Sequence, residues 1–187
     1  MKKILILTIA ILTSNIIEAQ FIKEKAVNAQ IGLGLSAPYY SDDEIVDNGF
    51  FVQGELIMKA YSWLSLRPYA GLILTNSNGK DINDNPTDEK AETKAFLMGG
   101  KARVKAPIPY VAPYIEAGIG ASIGSFETST FFTGIKKSGI IYHIPLSFGL
   151  ELGKNYGVDL GITYYIQPTV EQYAGAFAFG ITIPLKN

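Results

Sequence analysis

The fold is decided by residues 140–152, which read IIYHIPLSFGLEL. Every second side chain in this segment is large and apolar, from Ile140 to Leu152. The intervening positions include His143, Ser147 and Glu151, so one row is apolar and the other is polar. A period of two is typical of a β-strand that separates two different environments. The segment therefore predicts a strand with one apolar and one polar face.

Seven further segments repeat this alternation along the chain. They cover approximately residues 26–36, 49–60, 64–75, 94–105, 111–121, 158–167 and 174–185. Short connections lie at residues 61–63, 107–110 and 153–156, longer polar ones at 38–48, 76–92 and 124–138, and one of modest length at 168–172. Short turns that alternate with longer loops are typical of membrane barrels. The sequence thus predicts an all-β fold, an eight-stranded antiparallel up-and-down transmembrane β-barrel.

Prolines inside these segments remove backbone donors from the predicted sheet. Pro68, Pro113 and Pro184 fall near predicted strand ends, where a missing N–H group is tolerated. Pro145 falls in the middle of its segment. We therefore expect a bulge or a broken ladder hydrogen bond at Pro145.

The same alternation also fits a soluble barrel or sandwich whose apolar row forms the core. The polar row, however, is rich in glycine, alanine, serine and tyrosine, which suit the narrow interior of a small barrel. Aromatic residues fall near both ends of the predicted strands, as in the aromatic girdles of membrane barrels. These residues are Phe50, Phe96, Tyr142, Tyr164 and Phe177 near the long loops, and Trp63, Tyr110 and Tyr156 at the short turns. We therefore expect the apolar row to face hydrocarbon.

The first residues of the chain have the pattern of an export signal. Lys2 and Lys3 precede a short apolar run, and small residues lead to Ala19. We expect residues 1–20 to be a secretory signal peptide and residues 21–187 to be the barrel. The chain has no cysteine, which argues against a lipoprotein anchor and a disulfide framework. A formal net charge of −1 gives no reason to expect nucleic acid as a partner.

Residues 26–187 resemble the small outer-membrane β-barrel superfamily, which includes the transmembrane domain of the OmpA type, the opacity proteins and related porin-family barrels. The resemblance rests on the signal peptide, the eight alternating segments and the phrases LRPYAG at 66–71, PYIEAG at 113–118 and IPLSFG at 144–149. Residues 177–185 are similar to the family's C-terminal assembly signal, although the chain ends in Leu185-Lys186-Asn187 rather than an aromatic residue. The resemblance implies a Gram-negative outer-membrane location and insertion by the barrel assembly machinery.

Charged side chains recur on the row that is expected to face the lumen. Unpaired charges in a narrow lumen would cost several kcal/mol each, so we expect them to pair or to contact water. The residues expected in this polar network are Glu55, Arg67, Lys101, Arg103, Glu116, His143, Glu151 and Asp159, with Lys59 and Lys105 on the same face. The network predicts a plugged barrel, and the alternative is a narrow, low-conductance ion path.

A lipid-acting enzyme is a third hypothesis, because His143, Ser147 and Glu151 share one face of a strand. Residues four apart on a strand are separated by about 13 Å, which is too far for a base to reach a nucleophile. These side chains are also expected to point away from lipid. We therefore expect no enzymatic activity and no catalytic, cofactor-binding or metal-binding residues.

Acidic residues are concentrated in two of the long loops, at positions 42–44 and 81–89. Oxygen ligands of this kind could hold calcium, but the twelve-residue loop spacing of a calcium motif is absent. Solvated loops on the lipopolysaccharide side are the favoured interpretation. The expected function is therefore structural or in surface interaction, by a monomer that contacts outer-membrane lipid and lipopolysaccharide, while the partner of the loops is left open.

Overall fold

The computed structural model describes residue 22 and residues 24–42 and 44–185, which form a closed eight-stranded barrel. The strands are β1 (Glu24–Pro38), β2 (Asp47–Lys59), β3 (Leu64–Asn76), β4 (Lys90–Lys105), β5 (Val111–Ser129), β6 (Gly134–Leu152), β7 (Val158–Gln167) and β8 (Gln172–Pro184). One 3₁₀ turn, Pro168–Val170, lies between β7 and β8. The predicted fold class and strand number are confirmed. The predicted signal peptide, residues 1–20, lies outside the described residues.

All eight strand pairs are antiparallel, and the chain closes by pairing β8 with β1. This closing ladder runs without interruption from the pair Ala26 and Pro184 to the pair Pro38 and Gln172. Closure gives the backbone groups of both terminal strands a partner within the chain. In the described part of the chain, no helix is long and apolar enough to span a membrane.

The two rows predicted from the sequence lie on opposite surfaces of the barrel wall. Ile31, Leu33 and Ile119 on the outer surface are 55%, 62% and 69% exposed. Their neighbours on the inward row, such as Gln30 and Ser122, are buried. An apolar belt of this extent is unusual on a water-soluble monomer and is typical of a lipid-facing surface.

The interior differs from the prediction in its half nearest the long loops. The sequence predicts a polar row that faces the lumen. In the structure, five apolar side chains also point inward and are fully or almost fully buried, namely Phe51, Ile73, Leu97, Phe126 and Ile141. Several of these residues lie between apolar neighbours in the sequence, as in Phe50-Phe51-Val52. The strand is therefore apolar on both faces at this height, and the barrel has a small hydrophobic core, which we call the apolar layer.

The prediction of a loop at residues 124–138 is wrong. β5 and β6 continue as a ladder from the pair Ser122 and Ile141 to the pair Ser129 and Gly134, so that only residues 130–133 form the turn. The Thr130 N–H group donates to the Thr133 carbonyl at 2.7 Å and closes the hairpin. The alternation is weak here because this part of the hairpin extends beyond the apolar belt. β4 likewise begins at Lys90, inside the loop predicted at residues 76–92.

Pro145 breaks one ladder without a bulge. Pairing between β5 and β6 stops at the pair Ala117 and Leu146 and resumes at the pair Gly120 and His143 in the same register. The broken ladder expected at Pro145 is confirmed, and the bulge is absent. Pro68 does not lie at a strand end: it lies within β3, and the pairing of β2 with β3 is interrupted beside it.

The apolar belt predicts a strong difference between two equally exposed isoleucines. Ile31 on the outer wall and Ile82 in the loop between β3 and β4 are both 55% exposed. Arginine near the middle of a lipid-facing wall costs about 2–4 kcal/mol. We expect Ile31→Arg to lower the free energy of unfolding by that amount and Ile82→Arg to leave it within about 0.5 kcal/mol. Urea unfolding in lipid vesicles measures both, and equal effects would contradict a lipid-facing wall.

Candidate functional site: the barrel interior and its mouth

The half of the lumen nearest the short turns contains a network of ion pairs, which we call the ionic layer. Arg67 of β3 lies at its centre. Its Nη1 atom lies 3.1 Å from Glu55 Oε2 and its Nη2 atom lies 2.5 Å from Glu151 Oε1. Glu116 and Asp159 are also within ion-pair distance of Arg67, at 3.7 Å and 3.8 Å. One guanidinium group therefore contacts carboxylates from four strands.

Three more cations complete the ionic layer. Arg103 Nε lies 2.6 Å from Glu116 Oε1, and its Nη1 atom lies 2.8 Å from Glu151 Oε1 and 2.5 Å from Asp159 Oδ2. Lys101 Nζ lies 2.6 Å from Glu55 and 2.8 Å from Glu116. Lys105 Nζ lies 2.5 Å from Glu151 Oε2. The ionic layer thus brings together four cations and four carboxylates, so its formal charges balance.

Burial makes this balance necessary. The side chains of Arg67, Arg103, Glu55 and Glu116 are at most 2% exposed, and Lys105 is the most exposed member of the layer at 10%. An uncompensated charge at this depth would cost several kcal/mol, whereas the network places an opposite charge beside every member. The sequence predicted the members of this set by their inward row, and the structure determines which of them pair.

Tyr114 extends the ionic layer and is not among the site residues predicted from the sequence. Its hydroxyl group donates to Asp159 Oδ1 at 2.7 Å, and its ring lies 3.4 Å from the guanidinium carbon of Arg103. Glycine makes room for this ring: a Cβ atom on Gly161 would lie 2.3 Å from the Tyr114 hydroxyl oxygen. In the sequence, Tyr114 could be identified only by its position on the inward row. Glycines on the same row indicate where a large ring can fit.

His143 was predicted to belong to the polar network but lies in a separate layer above it. Its Nε2 atom lies 2.5 Å from the Tyr69 hydroxyl oxygen and its Nδ1 atom lies 2.7 Å from Ser122 Oγ. Gly120 leaves space for this pair, because a Cβ atom there would lie 2.4 Å from both His143 Nε2 and Tyr69 Oη. His143 is fully buried. The structure therefore gives the histidine neutral partners.

The constellation considered for a hydrolase is not assembled. Ser147 Oγ lies 2.9 Å from Thr163 Oγ1, Glu151 lies in the ionic layer, and His143 contacts Tyr69 and Ser122 instead. These partners agree with the separation expected along one strand. The three side chains thus have different partners, and no hydrogen bond joins any two of them among the described residues.

Hydrogen bonds also cross the lumen between strands that are not neighbours. The Tyr165 hydroxyl group of β7 donates to Gln53 Oε1 of β2 at 2.6 Å, and Gln53 Nε2 donates to Glu55 at 2.8 Å. Nearer the long loops, Gln172 Nε2 of β8 donates to Thr93 Oγ1 of β4 at 2.7 Å. All these side chains are buried. Opposite walls are therefore joined above the ionic layer as well as within it.

The predicted aromatic girdle falls into two groups in the structure. Near the long loops, the rings lie on the outer wall and are between 41% and 52% exposed; they are Phe50, Phe96, Tyr142, Tyr164 and Phe177. At the short turns, Tyr110 is 62% exposed, but Trp63 and Tyr156 line a cavity at the mouth of the barrel. The second girdle is therefore incomplete, because two of its predicted rings border the lumen.

This cavity has a volume of about 510 Å³ and opens between the short turns. Tyr61 and Trp63 stack on one side of it, with ring centroids 5.7 Å apart. Lys105 lies on another side, with its Nζ atom 4.1 Å from the ring centroid of Tyr156. Lys59 and Glu24 form an ion pair of 2.6 Å at the rim. The ionic layer is thus continuous with an aromatic and charged mouth.

The acidic loops form local hydrogen bonds. Asp81 Oδ1 accepts from the N–H groups of Asn83 and Asn85, both at 2.8 Å, and its other oxygen accepts from Asn85 Nδ2 at 2.9 Å. The side-chain and backbone donors of Asn85 hold the pKa of Asp81 below its ordinary value. Among the described residues, no group of three or more histidine and acidic side chains is placed to hold a metal ion. Residue 43 lies outside the described residues.

Residues 6–181 match the protein family described as "Outer membrane protein beta-barrel domain". The chain belongs to this family. The resemblance inferred from the sequence is thereby confirmed, and it identifies the apolar belt as the surface of an outer-membrane barrel.

Solved structures to which this outer-membrane barrel is similar have little sequence in common with it. Neisserial surface protein A matches with a TM-score of 0.59 and 13% identity over 86% of this chain and 97% of that one. Ail, the attachment invasion locus protein of Yersinia pestis, has a TM-score of 0.48 and 14% identity, over 87% and 99%. The outer membrane enzyme PagL has a TM-score of 0.42 and 15% identity, over 86% and 99%. A search of curated proteins finds no match.

The ionic layer predicts unequal effects for two Glu→Gln substitutions. Glu116 is buried beside Lys101 and Arg103, whereas the Glu24 side chain is 65% exposed beside Lys59. Breaking a buried ion pair from one side costs about 3–5 kcal/mol, and an exposed pair contributes at most about 1 kcal/mol. We expect Glu116→Gln to lower the free energy of unfolding by about 3–5 kcal/mol and Glu24→Gln to have little effect. Urea unfolding, monitored by the fluorescence of Trp63, measures both changes in the free energy of unfolding. An effect of Glu116→Gln as small as that of the control, Glu24→Gln, would contradict the prediction.

Proposed function

We propose that this chain is an outer-membrane barrel with a structural or surface-interaction role, whose lumen is closed by paired side chains. The observation that supports this proposal is the set of contacts that join strands across the lumen at three heights. Arg67 contacts Glu151 in the ionic layer, Tyr165 contacts Gln53 above it, and Gln172 contacts Thr93 near the long loops. A conducting path needs a continuous file of water or ions, and each of these contacts lies across the lumen between strands that are not neighbours.

The apolar layer supports the same proposal. Phe51 and Leu97 are fully buried in the half of the lumen nearest the long loops, and the ring of Phe51 lies 6.4 Å from that of Tyr165. An ion passing these apolar side chains would lose much of its hydration. The interior of this barrel therefore serves to hold the wall together, and its contacts with other molecules are made by its outer surface and its two ends.

The rim formed by the long loops is suited to such contacts because its loops are joined to one another. Ser41 Oγ donates to Glu89 Oε2 at 2.7 Å, and the Phe131 N–H group donates to Glu89 Oε1 at 2.7 Å. Thr133 Oγ1 donates to Glu171 Oε2 at 2.8 Å. The hairpin of β5 and β6 presents Phe131, which is 81% exposed, at its tip. We propose that this rim faces the outside of the cell as a preformed surface.

Export and membrane environment complete the proposal. Residues 1–20 would act as a secretory signal peptide, and the barrel assembly machinery would insert the remaining chain as a monomer into outer-membrane lipid and lipopolysaccharide. The proposal includes no catalytic role, and it is supported by the separate partners of His143, Ser147 and Glu151. The alternative is a narrow pore, and a measurement of ionic current distinguishes it from a closed lumen.

Planar-bilayer recording tests the closed lumen. We expect the folded chain to give no steady current, because its cross-lumen contacts leave no continuous water path. Insertion has to be verified separately, by the difference in gel migration between unheated and boiled protein recovered from the same membranes. A steady, reproducible single-channel current from verified barrels would overturn the closed lumen and favour the narrow pore.

Cysteine labelling tests the proposed orientation, and the absence of native cysteine makes single reporters specific. Asn83 lies in a long loop and Asn155 in a short turn, and both are exposed. We expect a membrane-impermeant maleimide to label Asn83→Cys on intact cells, and to label Asn155→Cys only after the outer membrane is permeabilised. The reverse pattern would invert the orientation, and labelling of both positions on intact cells would contradict an intact membrane-spanning barrel.

A further inference from the structure

The mouth cavity is lined by aromatic and charged side chains, as many ligand sites are. A closed lumen does not require such a lining. We call the residues that line it, among them Glu24, Lys59, Tyr61, Trp63, Lys105 and Tyr156, the mouth cup. They come from the start of β1, the end of β2 and the turn that follows it, the end of β4, and the turn between β6 and β7. Pockets that combine aromatic walls with a few convergent polar groups are typical of small-molecule sites.

One wall of the mouth cup is a flat aromatic surface. The rings of Tyr61 and Trp63 are stacked, with an angle of 12° between their planes. Both residues remain about half exposed, at 46% and 47%. A half-exposed aromatic pair beside a cavity offers an apolar face to a ligand that is itself flat or ring-shaped. The apolar face of a sugar ring fits this description.

The other walls provide charged hydrogen-bond donors. Lys59 Nζ is held 2.6 Å from Glu24 Oε2, and Lys105 Nζ is held 2.5 Å from Glu151 Oε2. An ammonium group has three N–H donors, so an ion pair with one carboxylate leaves capacity for a ligand. Two positioned ammonium groups on one cavity favour an anion, and the Glu24 carboxylate can accept hydrogen bonds from hydroxyl groups.

We propose that the mouth cup binds a sugar ring that carries a free carboxylate. The ring packs on Tyr61 and Trp63, and its carboxylate contacts Lys59 and Lys105. A second cavity of about 320 Å³ also borders Glu24 and Lys59 and extends toward Asn155 and Thr182, which gives room for a second ring. The assignment of the mouth cup to the periplasmic side of the membrane rests on the proposed function, in which the short turns are periplasmic.

The test uses two disaccharides that differ in the carboxylate. The folded chain, in a detergent without a sugar headgroup, is titrated with N-acetylglucosaminyl-N-acetylmuramic acid and, separately, with neutral di-N-acetylchitobiose. Trp63 is the only tryptophan, so its fluorescence reports directly on the mouth cup. We expect a saturable change with the acidic disaccharide at a dissociation constant at least about tenfold below that of the neutral one.

Matched variants identify the groups responsible. Lys59→Met is expected to remove the preference for the acidic disaccharide, whereas Lys80→Met, in a long-loop ion pair with Asp84, leaves it unchanged. Tyr61→Ala is expected to weaken both disaccharides, whereas Tyr40→Ala, at the opposite end of the barrel and 63% exposed, weakens neither. Gel migration verifies that each variant is folded, and isothermal titration repeats the measurement without dependence on Trp63.

Three results would overturn the proposal: no saturable binding of the acidic disaccharide at millimolar concentration by either method, equal affinity for the two disaccharides, or insensitivity to both Lys59→Met and Tyr61→Ala. The titration is done in detergent and does not depend on orientation. A negative titration therefore does not contradict the proposals of a closed lumen and an exposed long-loop rim. Conversely, an inverted orientation or a conducting lumen would not contradict a measured binding of the sugar.

Discussion

The pairing of β8 with β1 is the contact on which the rest of the structure depends. In hydrocarbon, an unpaired backbone N–H or carbonyl group has no water to replace its partner, so a sheet can cross a membrane only if it has no edge. The closing ladder supplies those partners along the whole of β8. Even the interruptions beside Pro68 and Pro145 preserve the register of their strands, so the barrel tolerates a missing donor without opening.

Closure with eight strands leaves an interior too narrow for bulk water, and this explains the composition of the inward row. Large groups such as Tyr114 and His143 fit only where glycine faces them, and charged groups are tolerated only where opposite charges meet. Buried ion pairs are weak evidence for stability, because desolvation offsets much of their attraction. Their effect here is to favour one arrangement of the wall, since a shifted strand would leave a charge unpaired.

The two ends of the barrel differ in chemistry because different constraints apply to them. The short-turn end combines the ionic layer with the mouth cup, where aromatic rings and ammonium groups meet at an opening. The long-loop end combines the apolar layer with loops that are hydrogen-bonded to each other through Glu89 and Glu171. In the function that we propose, the interior between them is closed, so each surface contacts a different compartment without exchange through the lumen.

The sequence by itself determined the number of strands, their antiparallel order, the row that faces outward and the residues that carry charge into the lumen. It could do so because a period of two is a local property: each residue's neighbours along the chain assign it to a face. The same reasoning located Phe50 and Phe177 on the outer wall and separated Ser147 from His143. It failed where the alternation was weak, as in the extended hairpin of β5 and β6, and where both faces were apolar, as at Phe51.

Only the tertiary structure decided which inward groups meet. Arg67 and Glu151 are far apart in the sequence and lie on strands that are not neighbours, so their contact exists only after the sheet has closed. For the same reason, His143 was assigned to the charged network although closure gives it Tyr69 and Ser122 as partners. Trp63 and Tyr156 were assigned to a lipid-facing girdle, but turn geometry directs them to the mouth. Distances across a closed sheet depend on all of its registers together, and no local pattern contains them.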